Sequence, residues 1–490
     1  MTAVTSKGMR VPSRFVITSR TPRRQQRRAV LLAALVAVSL LAGGCTRSEG
    51  ESEVGAQEGS GGSETSTESG GGDGTFGDLE DVCGPGDATG DTDQGVTGDS
   101  IKVGTISDPG FVGRPGLNQE LFDAAKVFTA WCNDAGGING REIEMTERDA
   151  KLTEYKQRIT EACQEDFMIV GSGGVFDETG QDERLTCLLP DIPAYQVSPK
   201  ARGADLSVRP LPTPLDQIAI AVFQYLETKF PDTTEDVGFL TGNVPATVTV
   251  DQQNQEAVES LDWKIIYEAQ YNSAGEPSWT PYVQAMQSEG VKGLVYMGEP
   301  ENFSKLLQAA ADIDYEFEWA VVGGNALDKK FIDLGGDAIK NVFLLSAVVP
   351  PFMADQNEAT QQYLDLFEEY LPDGKSEALL GYNAFSAWLL LASAVKECGS
   401  EVTRKCVLEA ASVDEWTGGG LHAPSSPGKG EPTKCGMVVT ASPEGFSVPD
   451  DFELTDGLFR CSDDSVIELK GDYGKGAKLE DVGKSLDDLE

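Results

Sequence analysis

The chain has 490 residues, with 39 Lys plus Arg against 80 Asp plus Glu, nine Cys and one His. A formal charge of −41 argues against a nucleic-acid partner, because phosphate-backbone binders present a basic face. The lone His422 removes most general acid–base, zinc-enzyme and Ser-His chemistry. Carboxylate-pair catalysis survives that filter. A hydrophobic content of 40% fits a soluble body of two or three domains, not a multi-span membrane protein.

The charge is uneven along the chain. Residues 1–44 hold eight Lys or Arg and no Asp or Glu, and the basic part precedes an apolar run at 29–41 and then Ala42-Gly43-Gly44-Cys45. A basic region, a short apolar core and small residues at a cleavage point make a secretory signal peptide. The run is short of the roughly 20 residues that cross a bilayer, although an uncleaved anchor is the alternative. Small residues ending in Cys resemble the bacterial lipobox, so 1–44 are expected to be removed and Cys45 to carry a lipid. Residues 45–82, rich in Gly, Ser and Glu, read as a flexible linker with too little apolar surface to offset its ordering entropy.

Setting Cys45 aside leaves Cys83, Cys132, Cys163, Cys187, Cys398, Cys406, Cys435 and Cys461. An even set in an exported chain reads as four disulfides. Local spacing suggests 83–132, 163–187, 398–406 and 435–461, with buried free thiols at Cys132 and Cys163 as the alternative. Asp87, Asp91, Asp93 and Asp99 miss the spacing of a calcium loop, so no metal site is expected, and no cofactor.

From Ser100 the pattern alternates between strand and helix. Residues 101–106 read as a strand ending at Ser107-Asp108-Pro109-Gly110, and 117–132 as a helix with Leu121, Ala124, Ala125, Phe128 and Trp131 on one face. Strand 142–147, helix 155–166 and strand 167–170 follow, the last ending at Gly171-Ser172-Gly173-Gly174. Strand 192–197 and helix 215–229 come next, then strand 236–240 ending at Thr241-Gly242-Asn243. Helices at 250–260, 279–289 and 301–312 alternate with strands at 263–269, 293–297 and 319–322. After strand 341–345 come helices at 356–371 and 381–398. Such alternation predicts an α/β fold with mostly parallel sheets. So many strands fit two sheets in two lobes better than one, with a closed barrel as the rival. Ligands in such sheets gather at the carboxyl ends of strands.

These residues carry a resemblance. Gly95 to Gly104 (GVTGDSIKVG), Ala135 to Arg141 (AGGINGR), Val170-Gly171-Ser172, Ile192-Pro193-Ala194-Tyr195 and Gly381-Tyr382-Asn383-Ala384-Phe385 resemble the type I extracellular substrate-binding proteins of ABC importers, the leucine/isoleucine/valine-binding-protein-like family. The resemblance runs from about 95 to 460. It implies two Rossmann-like lobes joined by three hinge crossings, with a ligand cleft between them. Lobe one is placed at 99–228 plus 350–415, lobe two at 229–349 plus 416–465, and an acidic C-terminal tail at 466–490. It also implies an ABC permease as partner. Where the amino-acid binders commonly hold the ammonium with an acidic residue, this chain has Gly323-Gly324-Asn325, and Glu299 stands on a neighbouring loop.

Candidate ligand contacts follow from both readings. Ser107 and Asp108 are either contacts or a turn and helix cap. Ser172 with the N–H groups of Gly173 and Gly174 would form an anion nest. Gln196, Ser198, Asn243, Glu299 and Asn325 are the polar residues at later strand ends. Tyr382 either stacks on ligand or packs the lobe. His422, between Gly418-Gly419-Gly420 and a Pro/Ser stretch, reads as a surface loop. The expected protein is a monomeric, non-enzymatic lipoprotein on the outer face of the bacterial cytoplasmic membrane. It would capture a small polar molecule, such as an amino acid or amide, by lobe closure. The alternatives are an envelope lipoprotein that regulates another enzyme or receptor, and an exported carboxylate-dependent hydrolase.

Overall fold

The first sheet is built where the sequence alternates least. Strand β1 (Ser100–Ser107) exposes only Lys102 and is buried elsewhere on both faces, as a central parallel strand must be. It pairs in parallel with β2 (Glu142–Asp149) on one side and β3 (Met168–Val170) on the other, and β3 pairs with β4 (Asp191–Ile192). The order is β2-β1-β3-β4. This computed structural model describes residues 74–489; the segment expected to be a signal peptide and the expected lipidation site Cys45 lie outside the described residues.

Around that sheet pack α1 (Gln119–Asp134), α2 (Tyr155–Glu165), α3 (Gln181–Thr186) and α4 (Pro199–Arg202). Phe128 of α1 stacks on Trp388 with ring centroids 5.7 Å apart, and Phe76 meets Phe385 at 5.0 Å. Phe76 and Val82 are both in this core, so the folded body already includes residues assigned from composition to the linker ending at 82.

The second sheet is larger. β5 (Gln217–Ala219) precedes α5 (Ala221–Lys229), and β6 (Val237–Gly242), α6 (Pro245–Ser260), β7 (Ile265–Tyr271), α7 (Thr280–Glu289), β8 (Gly293–Met297), α8 (Pro300–Ala311), β9 (Trp319–Val322) and β10 (Val342–Ser346) alternate as read, with the unexpected short α9 (Lys329–Gly335) between the last two. β7-β6-β8-β9-β10 run parallel. The antiparallel β11 (Cys435–Ser442) then adds to β10, with β12 (Gly445–Ser447) and β13 (Arg460–Cys461) on β11. Helices α10 (Glu358–Tyr370), α11 (Leu379–Cys398) and α12 (Arg404–Ala411) return to the first core. Among the described residues, α11 alone is long and apolar enough to cross a membrane. Here it packs as the central helix of that core, with Tyr382, Phe385, Trp388 and Leu391 all buried.

Two large apolar cores therefore define two lobes, with a smaller cluster around Ile106, Tyr155, Ile159 and Ile169 also on the first sheet, and membership of the two large cores locates the crossings. Val208 belongs to the first core and Ile220 to the second; Val348 and Val349 divide the same way, as do Leu421 and Ala423. The whole of α5 lies in the second lobe, which moves the first boundary from 228 to about 210–220. Within 215–229, residues Gln217–Ala219 form a strand instead of a helix start because β5 pairs with β14 (Val466–Glu468). Trp416 and Leu421 stay in the first core, so the third crossing begins after 421, not at 416. His422 sits in that crossing and is buried, hydrogen-bonded to Ser386 Oγ at 2.9 Å; it is not a surface-loop residue. Burial lowers its pKa to about 4.

The stretch expected to be an acidic tail crosses once more. Beyond β14, Ala477, Leu479 and Leu489 join the first core, and Ala477 N–H donates to the Lys200 carbonyl at 2.9 Å. Disulfides join Cys83–Cys132, Cys163–Cys187, Cys398–Cys406 and Cys435–Cys461. The first three lie in lobe one and the last in lobe two.

Candidate ligand cleft

Both sheets send the carboxyl ends of their parallel strands toward one cleft, the place where open α/β sheets bind ligands. A central cavity of about 260 Å³ is lined from lobe one by Arg114, Asn118 and Tyr195, and from lobe two by Val250, Met297, Glu299 and Asn325. It shares Tyr195, Val197, Val250, Met297, Gly323 and Leu379 with a second cavity of about 470 Å³ beside the crossings. On the other side it shares Val175 and Val244 with a third, where the C-terminal residues Lys475, Gly476 and Ala477 face Ser198 and Pro245.

The wall of lobe one is set by tight packing. A Cβ on Gly173 would lie 2.0 Å from the Tyr195 ring, so only glycine lets that ring lie against the β3 loop. Asn118 Nδ2 then donates to the Tyr195 hydroxyl at 2.5 Å. Burial raises the Tyr195 pKa well above its ordinary value, with Asp108 and Asp177 adding to the shift, and the hydroxyl stays protonated.

Charge bridges the lobes at the rim. Arg114 Nε donates to Glu301 Oε1 at 3.0 Å, its Nη2 lies 2.8 Å from Glu301 Oε2, and its Nη1 pairs with Glu299. Lys330 also holds Glu301, at 2.8 Å. Burial pushes the Glu301 carboxyl up, but Arg114 and Lys330 outweigh it and hold the pKa below the usual value. Deeper in, Arg202 Nη1 donates across to Gln253 Oε1 at 2.8 Å. Asp177 takes the N–H groups of Val197 and Ser198, fixing the β4 loop. Burial still raises its pKa to about 7 against those hydrogen bonds.

The sequence profile described as "Periplasmic binding protein" matches residues 100–445. The chain belongs to the periplasmic binding protein family. A comparison with curated proteins finds no match. Among solved structures, a fatty acid ABC transporter substrate-binding protein from Thermomonospora curvata is similar at TM-score 0.64 and 17% identity, over 76% of this chain and 97% of that one. A leucine binding protein from Thermotoga maritima gives 0.61 and 15% over 74% and 99%. A branched chain amino acid ABC transporter protein from Thermus thermophilus with bound valine gives 0.57 and 14% over 75% and 98%. At these identities the likeness shows the fold, type I. The periplasmic binding protein family comprises extracytoplasmic solute-binding proteins of ABC transporters.

Within this periplasmic binding protein, four of the eleven sequence-derived candidates line the cleft cavities. Glu299 and Asn325 line the central one, Gln196 the crossing side and Ser198 the C-terminal side. Ser198 also caps α4, accepting from Ala201 N–H at 3.2 Å. Gln196 donates to Asp191 and Ser207, and its buried Oε1 has no partner among the described residues.

The other seven are not among the residues lining these three cavities. Ser107 Oγ donates to the Asn118 carbonyl at 2.7 Å, and Ser172 Oγ accepts from Ile106 N–H at 3.0 Å. Asp108 accepts from Leu152 N–H and Val175 N–H at 2.7 and 3.0 Å. The expected anion nest has two of its three groups engaged: Ser172 Oγ accepts from Ile106 N–H and Gly173 N–H donates to the Ile106 carbonyl; at Gly174 a Cβ would meet the Tyr155 ring at 2.5 Å. Asn243 is exposed and accepts from Ser273 N–H at 3.1 Å. Tyr382 packs on Tyr363 with centroids 4.1 Å apart inside the first core.

The cleft residues that sequence reasoning missed are the long charged ones. Arg114 and Lys330 stand several residues beyond their strands, Lys375 lies between α10 and α11, and Arg202 and Arg209 flank the first crossing. Only the Pro-rich stretch Arg209-Pro210-Leu211-Pro212-Thr213-Pro214 signalled an extended crossing there.

Proposed function

We propose that this chain is the lipid-anchored solute receptor of an ABC importer. Cys45 holds it to the outer face of the cytoplasmic membrane, and it works as a monomer that delivers a small organic molecule to the permease subunits. The observation that carries the reading is the Arg114 bridge to Glu299 and Glu301, which spans two lobes facing one cleft. A cleft completed only when both lobes meet gives a ligand differential contacts with the closed form, which is what drives closure. Neighbours of the same fold are named for fatty acid, leucine and valine, so an apolar or amphipathic organic ligand is the starting panel.

Thermal-shift screening of amino acids, amides and short-chain acids tests the reading. A ligand at 100 times its Kd adds about 2.7 kcal/mol of stability. Stabilisation by at least one class is expected; silence across the panel, with no small molecule released on denaturation, would refute it. For the anchor, Cys45→Ser is expected to release the chain from the membrane fraction, and retention in that fraction would refute lipid attachment.

A further inference from the structure

The crossing-side cavity is unlike the rest of this acidic molecule. Two guanidinium groups line it, Arg202 and Arg209, and no Asp, Glu, Lys or His does. Arg209 is 8% exposed. A guanidinium carries five N–H donors, yet among the described residues Arg209 makes one hydrogen bond, from Nη1 to the Thr213 carbonyl at 3.3 Å. Arg202 spends its donors on the carbonyls of Thr213 and Pro214 and on Gln253 Oε1. Neither arginine has an ion pair among the described residues, in a chain where acidic groups outnumber basic ones two to one. A buried charge is normally paired. The remaining wall is apolar, with Leu211, Ile218, Val250, Met297, Val322 and Leu345. The volume of about 470 Å³ falls within the range of small-molecule sites, about 300–1,000 Å³.

We infer that this cavity takes an organic carboxylate whose anionic head pairs with Arg209, with Arg202 beside it, and whose uncharged aliphatic body lies along the apolar wall. The inference rests on the receptor reading and deepens it. A zwitterionic amino acid fits poorly, because no carboxylate in this cavity would meet its ammonium. The acidic groups of the adjoining cavity are already engaged: Glu299 by Arg114, Glu120 by Lys375 at 3.2 Å, and Asp328 in capping α9. Planar guanidinium and carboxylate match as a two-bond fork, which the unused donors of Arg209 can supply.

The test is calorimetric titration of the full chain with octanoate, octanamide and leucine. Octanoate is expected to bind, and octanamide and leucine at least tenfold more weakly. Arg209→Gln should weaken octanoate by about thirtyfold or more, since removing one partner of a buried charge pair costs about 2–5 kcal/mol; Arg209→Lys should fall between. The unliganded melting temperature of Arg209→Gln should not drop, because the desolvation of the guanidinium outweighs the attraction of Asp177 and Asp191, neither of which forms an ion pair with it. Octanamide or leucine matching octanoate, or Arg209→Gln retaining it, overturns the anion assignment and leaves the solute receptor standing. Failure of all three probes also overturns it. The receptor reading fails separately, only if the wider thermal panel is silent and denaturation releases no small molecule.

Discussion

Replacing Arg114 by Gln removes the charge that joins the two lobes at the rim. Its side chain is 28% exposed and that of Glu301 19%, so neither the buried nor the fully exposed limit applies. Exposed ion pairs contribute about 0.2–1 kcal/mol, and a buried charge-assisted hydrogen bond about 1.5–3 kcal/mol. With one hydrogen bond and a close ion-pair contact to Glu301 and a second carboxylate on Nη1, a total of about 1–2 kcal/mol follows once solvent screening is included. At 1.4 kcal/mol per factor of ten, the closed-to-open ratio should fall roughly five- to thirtyfold. Small-angle X-ray scattering at low salt should show Arg114→Gln more extended than the wild type. In 1 M salt, where the screening length is about 3 Å, the wild type should move toward the variant. Acid should do the same. The Glu301 pKa is held below 4.5, so its contribution is complete above that value and is lost as pH falls through the lowered one. Superimposable profiles for both proteins at low salt and neutral pH would refute the clasp.

Three further outcomes are expected. Gly173→Ala places a methyl group 2.0 Å from the Tyr195 ring and should destabilise lobe one by about 1–3 kcal/mol, read as a lower urea midpoint; an unchanged midpoint would show that the ring is not seated there. Asp177 has a folded pKa of about 7 against an ordinary 3.8, so the native state holds the extra proton and the stabilising contribution falls as pH rises between those values. Asp177→Asn should therefore gain stability relative to wild type from pH 4 to 7, and a pH-independent difference would contradict the assignment. Deleting residues 470–490 removes the buried Leu479 and Leu489, about 1.5–3 kcal/mol each less the ordering entropy of the segment. Chemical denaturation should show a loss of a few kcal/mol, and none at all would mean the segment is not docked.

The alternation of strand and helix was legible because each parallel strand is a short apolar run closed by a glycine or polar turn, as at Met168–Val170 before Gly171. Cysteine spacing was legible because each pair closes a local loop. The lobe boundaries were less so. Residues 215–229 carry helical periodicity, but Gln217–Ala219 is claimed by a strand more than 240 residues away, a long-range partner that local periodicity cannot reveal. The pocket was hardest. Small polar residues at strand ends look like ligand contacts, yet Ser107, Asp108 and Ser172 are consumed in pinning one loop to the next. Arg209 faces the cavity because a proline-rich crossing passes beside it, a fact of tertiary geometry with only a faint local mark.

The disulfides are consecutive along the chain, each cysteine from Cys83 onward joined to the next one free, with no pair nested in or interleaved with another. A chain threaded outward from its amino end, oxidised as its thiols emerge, meets the native partner first every time. Scrambled intermediates then need no later correction for want of the right cysteine. Each covalent loop also closes within a single lobe, so oxidation can finish on either lobe before the hinge between them has formed.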